Sequence, residues 1–599
     1  MEASKFNARP DTWSAVDGLG RFLPENDLVG DPRQRFVGIF FWTWHNRYDE
    51  PENAVNTVWE TPNRGRGTVN MQQVMDETPE AKNDYDHPAW RGMGSGNGIG
   101  TGHWNEPVYG YYFSSDEWVL RHQAELLATA GVDAVIFDNT NGTDTWEAGY
   151  MAAGRTFSRA KADGIAVPGI AFLLPLHMGD PNNAARCAVQ LREIYQKVYR
   201  KGLFRDVWFC WKGKPLVMAF PDALDPADPL DAEILDFFTF RPCQPSYYDG
   251  QVRPDLWGWL SLYPQQVYRN ADGTPEQITV GVAQNTNAYA TEAKVPNVMN
   301  GYGIYGRSYT SRGFDPRPDA KLWGANFQEQ WERALRVDPE FVFVTGWNEW
   351  ISGHKRIRCG VPNGLSDQFD DEHSRDIEPT RGALRDHYYY QLCANIRRFK
   401  GVRPQMEPAA ATDLDVHSPA AAWEDKGTTF VDHKKDLSPR DAVGYYHYAS
   451  DTGRNAIRLS RVSHDAENVY FEAVCQKPIT PPDGKNWMRL LIRTMQDGPS
   501  WEGFPYMVNR LAPGEQAYLE RSLGGWKWSV AARCRWHMEG CRLVLAVPRK
   551  ALGADTKKFK LYFKWCDNNL AEGDILSLYT DGDASPGGRF TFCYKGEDA

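Results

Sequence analysis

Cleavage of a glycosidic bond needs two acidic groups: one protonates the departing oxygen, and the other attacks or stabilises the anomeric carbon or activates water. One acid in this chain is placed as such chemistry requires. The run Phe341-Val-Phe-Val-Thr-Gly-Trp-Asn-Glu-Trp350 is apolar and β-branched until it stops in a Trp-Asn-Glu-Trp cluster. Strand-forming residues of this kind put Glu349 at a strand's carboxyl end, framed by indoles, where a barrel of alternating strands and helices keeps its reactive groups. Trp347, Asn348 and Trp350 become candidate sugar contacts beside it. The structural alternative is a buried Glu paired with an Arg at the end of a core strand.

Candidates for the second acid lie elsewhere. Asp138 ends the apolar run Ala134-Val-Ile-Phe, with Asn139 beside it to hydrogen-bond a hydroxyl; the alternative is an Asp that caps the next helix. The segment Phe369-Asp-Asp-Glu-His-Ser-Arg-Asp-Ile-Glu-Pro379 holds Glu372 and Glu378. Acidic runs are usually solvated, but Arg375 and Ile377 interrupt this one, and it follows the last strand, where barrels place sites. Glu106 sits in Gly102-His-Trp-Asn-Glu-Pro107, ahead of Tyr109-Gly-Tyr-Tyr112. Its neighbours His103 and Trp104 make that loop a candidate sugar subsite, or a loop held by its own packing. Trp42, Trp44, His45 and His177 close two further apolar runs and complete the expected sugar-binding set.

Other chemistries find no support. No His-Glu-x-x-His, Cys-x-x-Cys or calcium-loop spacing occurs, so no metal or cofactor is expected. A Gly-x-Ser-x-Gly elbow is absent too. The glycine run Arg91–Gly100 lacks the Lys and Ser/Thr that grip a nucleotide.

The elements that must position these residues are legible from about 35 to 400. Val37-Gly-Ile-Phe-Phe, Ala134-Val-Ile-Phe, Gly169-Ile-Ala-Phe-Leu-Leu, Ile278-Thr-Val-Gly-Val and Phe341-Val-Phe-Val are continuous apolar runs that each end in a polar or aromatic cluster. Amphipathic segments at 146–163, 181–199, 325–337 and 385–398 stand between or after them, and Ser114-Ser-Asp-Glu117 predicts a capping box for another helix. Strands buried on both faces and alternating with helices predict a parallel (β/α)8 barrel over 1–405, with 51–105 covering its mouth.

Residues 406–430 are rich in Pro, Ala and Asp and predict a linker. Short alternating strands then predict an antiparallel β-sandwich over 431–599. The excess of aromatics, 23 Trp and 28 Tyr in 599 residues, suits a carbohydrate partner. A net charge of −11 argues against nucleic acid, and no apolar run is long enough to span a membrane. The opening residues do not read as a secretion signal, so the expected compartment is cytoplasmic, or periplasmic or extracellular if a signal has been removed.

The stretch from Gly102-His-Trp-Asn-Glu-Pro to Ala130-Gly-Val-Asp-Ala-Val-Ile-Phe-Asp138, with the late Asn348-Glu-Trp350, resembles glycoside hydrolase families 71 and 99 and the WbsX-like proteins. The resemblance spans roughly 35–400 and is specific only at these motifs. It implies a retaining glycosidase in which Glu349 acts with a second glutamate, but Ser352 stands where family 99 carries that residue. Ile377-Glu378-Pro379 resembles the Leu-Glu-Pro of WbsX-like chains. The WbsX-like relatives also imply a rival reading, a glycosyltransferase, and the Ser352 departure raises a second, a carbohydrate-binding protein without catalysis. Trp501-Glu-Gly-Phe-Pro-Tyr-Met-Val-Asn-Arg510 and Phe563-Lys-Trp-Cys-Asp-Asn568 resemble a family 9 carbohydrate-binding module, in which Trp526 and Trp528 are candidates for sugar stacking; the alternative is a purely structural accessory sheet.

Overall fold

The computed structural model describes residues 8–45, 69–90, 99–284, 305–358, 360–366, 368–482 and 486–598. The apolar runs form strands β1 (Phe36–Phe41), β2 (Ala134–Asp138), β3 (Gly169–Leu173), β4 (Lys214–Met218), β5 (Thr239–Phe240), β6 (Pro275–Gly281) and β7 (Phe341–Thr345). They pair in parallel in the order β6-β7-β1-β2-β3-β4-β5. Antiparallel Val267–Arg269 lies outside β6, and Cys210–Trp211 pairs with β4.

Period-two alternation gives each strand two buried faces. Phe40, Ile136, Ala171, Leu173, Leu216, Met218, Phe341 and Phe343 share one cluster. Val37, Ile39, Phe41, Val135, Phe137, Ile170, Val342 and Val344 share another with the helices. The first cluster shows that the sheet rolls up. Trp211 and Phe36 are four ladder steps apart, about 19 Å in a flat sheet, yet their rings lie 5.5 Å apart, and Trp211 also meets Phe341 at 5.6 Å.

The expected closed eight-stranded barrel is not what the hydrogen bonds describe. Among the described residues no ladder joins β5 to β6. Pro242 and Pro245 remove amide donors there, leaving only the two-residue pair Cys243–Gln244 with Trp257–Gly258. Side chains bridge the seam instead. Glu276 accepts from Arg241 at 2.8 Å and from the indoles of Trp211 and Trp257 at 2.9 Å each. Gln277 exchanges two hydrogen bonds with the backbone of Gly258.

Helices α1 (Glu117–Ala130), α2 (Glu147–Ala162), α3 (Pro181–Ile194), α4 (Pro229–Phe237), α5 (Ala325–Val337) and α6 (His387–Lys400) cover the outer face. The cap of α1 is Asp116, whose carboxylate accepts from the amides of Trp118 and Val119. Ser114, expected in that role, instead accepts from the amide of His45, with its hydroxyl 3.2 Å from the Nδ1 of that ring. Of the stretch expected over the mouth, 51–68 and 91–98, with most of the glycine run, lie outside the described residues. Its remainder includes a helix at Met71–Glu77 and a strand, Ile99–His103, paired with Ile351–Arg358.

In the second unit, strands form one twelve-stranded hydrogen-bonded sheet. It folds over at the 13-residue strand Lys527–Glu539, which pairs with Ala517–Gly524 along its first half and Arg542–Pro548 along its second. The two halves then face each other: Phe430 and Phe471 meet Phe563 at 5.2 and 5.3 Å. The stretch read as a linker contributes to this unit, since Ala409–Ala410 pairs with Gly596–Glu597 and Trp423 is buried.

The two units are locked by charge. Arg589, fully buried, donates to Asp386 at 2.6 Å and to Glu502 at 2.8 Å, and Tyr579 donates to Asp386 at 2.9 Å. Removing one member of such a pair costs about 3–5 kcal/mol because the other charge stays buried. Arg589→Met is therefore expected to lower the unfolding midpoint by several degrees, and Asp386→Asn added to it to restore much of the loss. Thermal unfolding of both variants checks this; a negligible shift for the single variant would count against the lock.

Candidate functional site

The site is built on the turn that follows β7. Gly346 has φ +109°, and a Cβ there would stand 2.1 Å from the carbonyl oxygen of Arg375, so the turn requires glycine. The amide of Trp347 donates to Phe40 O, and its own carbonyl accepts from Glu378 N at 2.9 Å. Asn348 clamps the end of β1: its Oδ1 accepts from Trp42 N at 2.8 Å and its Nδ2 donates to Trp42 O at 3.2 Å. These bonds hold Glu349 in place.

Glu349 is 4% exposed. Arg375 donates to its Oε2 at 2.8 Å, and the Glu349 amide donates to Asp376 at 2.6 Å. The ion pair anticipated as a structural alternative is thus present, with Arg375 drawn from the acidic run. Its guanidinium lies over the ring of Trp259 at 5.8 Å, and Trp259 in turn tilts against interior Phe40. The pair therefore stands on the inner side of the roll.

Behind it lies a second carboxylate. Glu378 accepts from Trp350 Nε1 at 2.5 Å, Gln123 at 2.6 Å and Tyr112 Oη at 2.8 Å. Burial pushes its pKa up to about 7 and that of Asp376 up to about 6. Three donors on a buried carboxylate make Glu378 a brace for Trp350 and Tyr112. Trp350 and Trp104 stack on each other, both fully buried. Trp347 packs against Tyr389 of α6.

The other strand ends converge on the same rim. Asp138 is at an inward position of β2, and its Oδ1 accepts from the Thr140 amide and hydroxyl. After β1, Trp42 and Trp44 stack at 3.8 Å and 9°, and Trp44 stacks on Trp146. His45 stands 6.2 Å from Trp42 and 6.4 Å from His103. Among the described residues, both amide atoms of Asn139, both of Gln284 and Nε2 of His45 and His177 are buried without a hydrogen-bond partner. His177 Nδ1 accepts from Gly179 N, which leaves Nε2 as the protonated nitrogen. An unpaired buried polar atom costs about 1–3 kcal/mol, so their concentration at strand ends marks a place for a polar ligand.

Two expected acids lie off this rim. Glu372 accepts from the amide and hydroxyl of Ser308 at 2.9 and 2.7 Å and so clips the segment before α5. Glu106, 3.6 Å from Arg381, is partly exposed on the outer edge. Ser352 donates to the carbonyl of Gln368 from inside the sheet. Arg375, Tyr112, Asp376 and Trp259 were not singled out as site residues; only the interruption of the acidic run by Arg375 signalled one of them. Among the described residues no three His, Cys, Asp or Glu side chains gather as a metal site would need, and no helix is long and apolar enough to cross a membrane.

Burial holds His45 down at about 3, and burial with repulsion from His45 holds His103 well below the usual histidine value. Below about pH 6.5 the unfolded chain takes up protons that these native rings refuse, so stability falls as pH drops. His45→Gln is expected to lose less of its melting temperature than the wild type between about pH 7 and about pH 4. Calorimetry at both values checks it, and equal losses would remove His45 from the explanation.

No protein-family model and no curated protein matches the chain. Among solved structures it is similar to the GH99 endo-alpha-mannosidase from Bacteroides thetaiotaomicron. Bound to BIS-TRIS-propane, that enzyme aligns over 61% of this chain and 97% of its own, at 11% identity and a TM-score of 0.33. Another structure of it gives 11% identity and a TM-score of 0.31 over 61% and 98%. A structure described as a glycoside hydrolase covers 90% of this chain and 98% of its own, at 9% identity and a TM-score of 0.25. Likeness at this level assigns no residue and no reaction to this chain.

Proposed function

We propose that the chain is a glycoside hydrolase in which Glu349 and Asp138 form the carboxylate pair. The observation that carries this reading is Glu349 itself: an acid 4% exposed, held by Arg375 on the inner side of the rolled sheet, among indoles and unpaired polar side chains. β7 and β2 flank β1, so their backbones stand two ladder steps, about 10 Å, apart. Carboxylates reaching inward from those positions fall within the ~5–9.5 Å range over which such pairs act.

Asp138 is favoured over Glu378 and Glu372 by its place: it ends β2 at an inward position, whereas Glu378 braces Trp350 and Tyr112 behind the ion pair and Glu372 clips the segment before α5. In the proposed reaction one carboxyl protonates the leaving oxygen, while the other stabilises the oxocarbenium-like centre or activates water. Trp42, whose one face is taken by Trp44, offers its other flat face to a sugar, and Asn139 and His177 offer hydrogen bonds to hydroxyls.

Glu349→Gln is expected to lower turnover of a cleaved glycan by several orders of magnitude, and Asp138→Asn by a comparable amount. Because Glu349→Gln also leaves the buried Arg375 guanidinium without this counter-charge, Glu349→Gln with Arg375→Gln should recover melting temperature without recovering turnover. Near-full activity in Glu349→Gln would overturn the assignment. Tight glycan binding by the wild type with no hydrolysis of any glycan would favour the non-catalytic alternative.

A further inference from the structure

We infer that a β-hairpin of the second unit, Arg440–Val443 with His447–Ser450, supplies an aromatic subsite for sugar units of the same glycan lying outside the candidate cleavage site. The inference rests on the carbohydrate reading above but is tested by binding.

The hairpin does not stay with its own sheet. Its two strands pair only with each other, and it docks on the loop that contains His103 and Glu106. Arg440, buried, donates twice to Asp116 at 2.7 and 3.0 Å and once to Tyr109 O at 2.9 Å. Tyr111 is gripped from both sides: its amide donates to Tyr448 Oη at 2.7 Å, and its carbonyl accepts from Tyr445 N at 3.0 Å. Gly110, at φ +76°, lets the Tyr448 ring lie where a Cβ would stand, 2.5 Å away. A hairpin tied down in this way presents its tip in a fixed position.

That tip continues the line of rings leaving the strand ends. Trp42, His45 and His103 follow one another at 6.2 and 6.4 Å, and Tyr445 then meets His103 at 5.3 Å and Phe113 at 5.1 Å. Tyr446 comes next, 6.2 Å from Tyr111, and it is 55% exposed. An exposed tyrosine on a rigid tip, packed beside Tyr111, fits the apolar face of a sugar ring and offers its hydroxyl to those of the sugar. The rings from Trp42 to Tyr445 tie the tip to the rim that carries Glu349, which sets it within reach of a longer glycan held there.

The test is calorimetric titration of the full chain with linear gluco-, manno-, galacto- and xylo-oligosaccharides, from disaccharides to octasaccharides. Affinity for at least one series is expected to rise with length. Tyr446→Ala should remove roughly tenfold from the longest members and less from the disaccharides, while Tyr446→Phe retains most of the affinity. Length-independent affinity, an equal loss at every length in Tyr446→Ala, or no binding in any series overturns the inference. Turnover lost in Glu349→Gln with binding unchanged in Tyr446→Ala refutes the hairpin alone. Length-dependent binding that needs Tyr446, without hydrolysis, refutes the glycosidase reading alone.

Discussion

A carboxylate and a guanidinium taken out of water together constrain everything near them. Glu349 and Arg375 are 4% and 2% exposed and 2.8 Å apart. Desolvating two ions costs several kcal/mol each, and their attraction offsets this only where geometry is fixed. The rim supplies that geometry: Gly346 admits the Arg375 backbone, Asp376 takes the Glu349 amide, and Asn348 ties the turn to β1. Glu378 extends the same logic one layer out by bracing Trp350 and Tyr112. A sugar-cleaving centre would gain from such rigidity, since an acid held by its neighbours needs no reorganisation when charge develops.

The strands, and the place of Glu349 just past the end of one, are readable because both depend on local pattern. Apolar runs buried on both faces look alike wherever they occur, and a polar cluster ending one marks its carboxyl end. Partners contributed from elsewhere were not readable. Arg375 looked like an interruption of an acidic run, and Glu378 looked like a candidate acid until its three donors, from α1, the 109–113 loop and the β7 turn, came into view. Asp116 replaced Ser114 as the cap of α1 because Ser114 was needed by His45, a contact 69 residues away.

Barrel closure and the status of 406–430 both depend on more than local pattern. Periodicity predicts strands, but closure depends on amides that Pro242 and Pro245 lack, and Glu276 and Gln277 bridge the seam by side chains instead. Composition suggested a free connection over 406–430, yet its Ala pair and Trp423 are taken up by the second unit. That unit is fastened to the first by Asp386–Arg589 and by the Arg440 hairpin, so the chain presents its rim with the two parts already joined.

The segment around Trp13 adds a matter of timing. Ser14 bridges Thr591, 577 residues further along, and Trp13 packs its ring against Phe590 and Phe592. During synthesis these aromatics emerge long after Trp13, which has to wait for them before this contact can form. Contacts of such long range are slow to form and leave apolar surface exposed in the interval. The docking of this strap is therefore a late event in folding, and a chain shortened before Phe590 would leave Trp13 without its native cover.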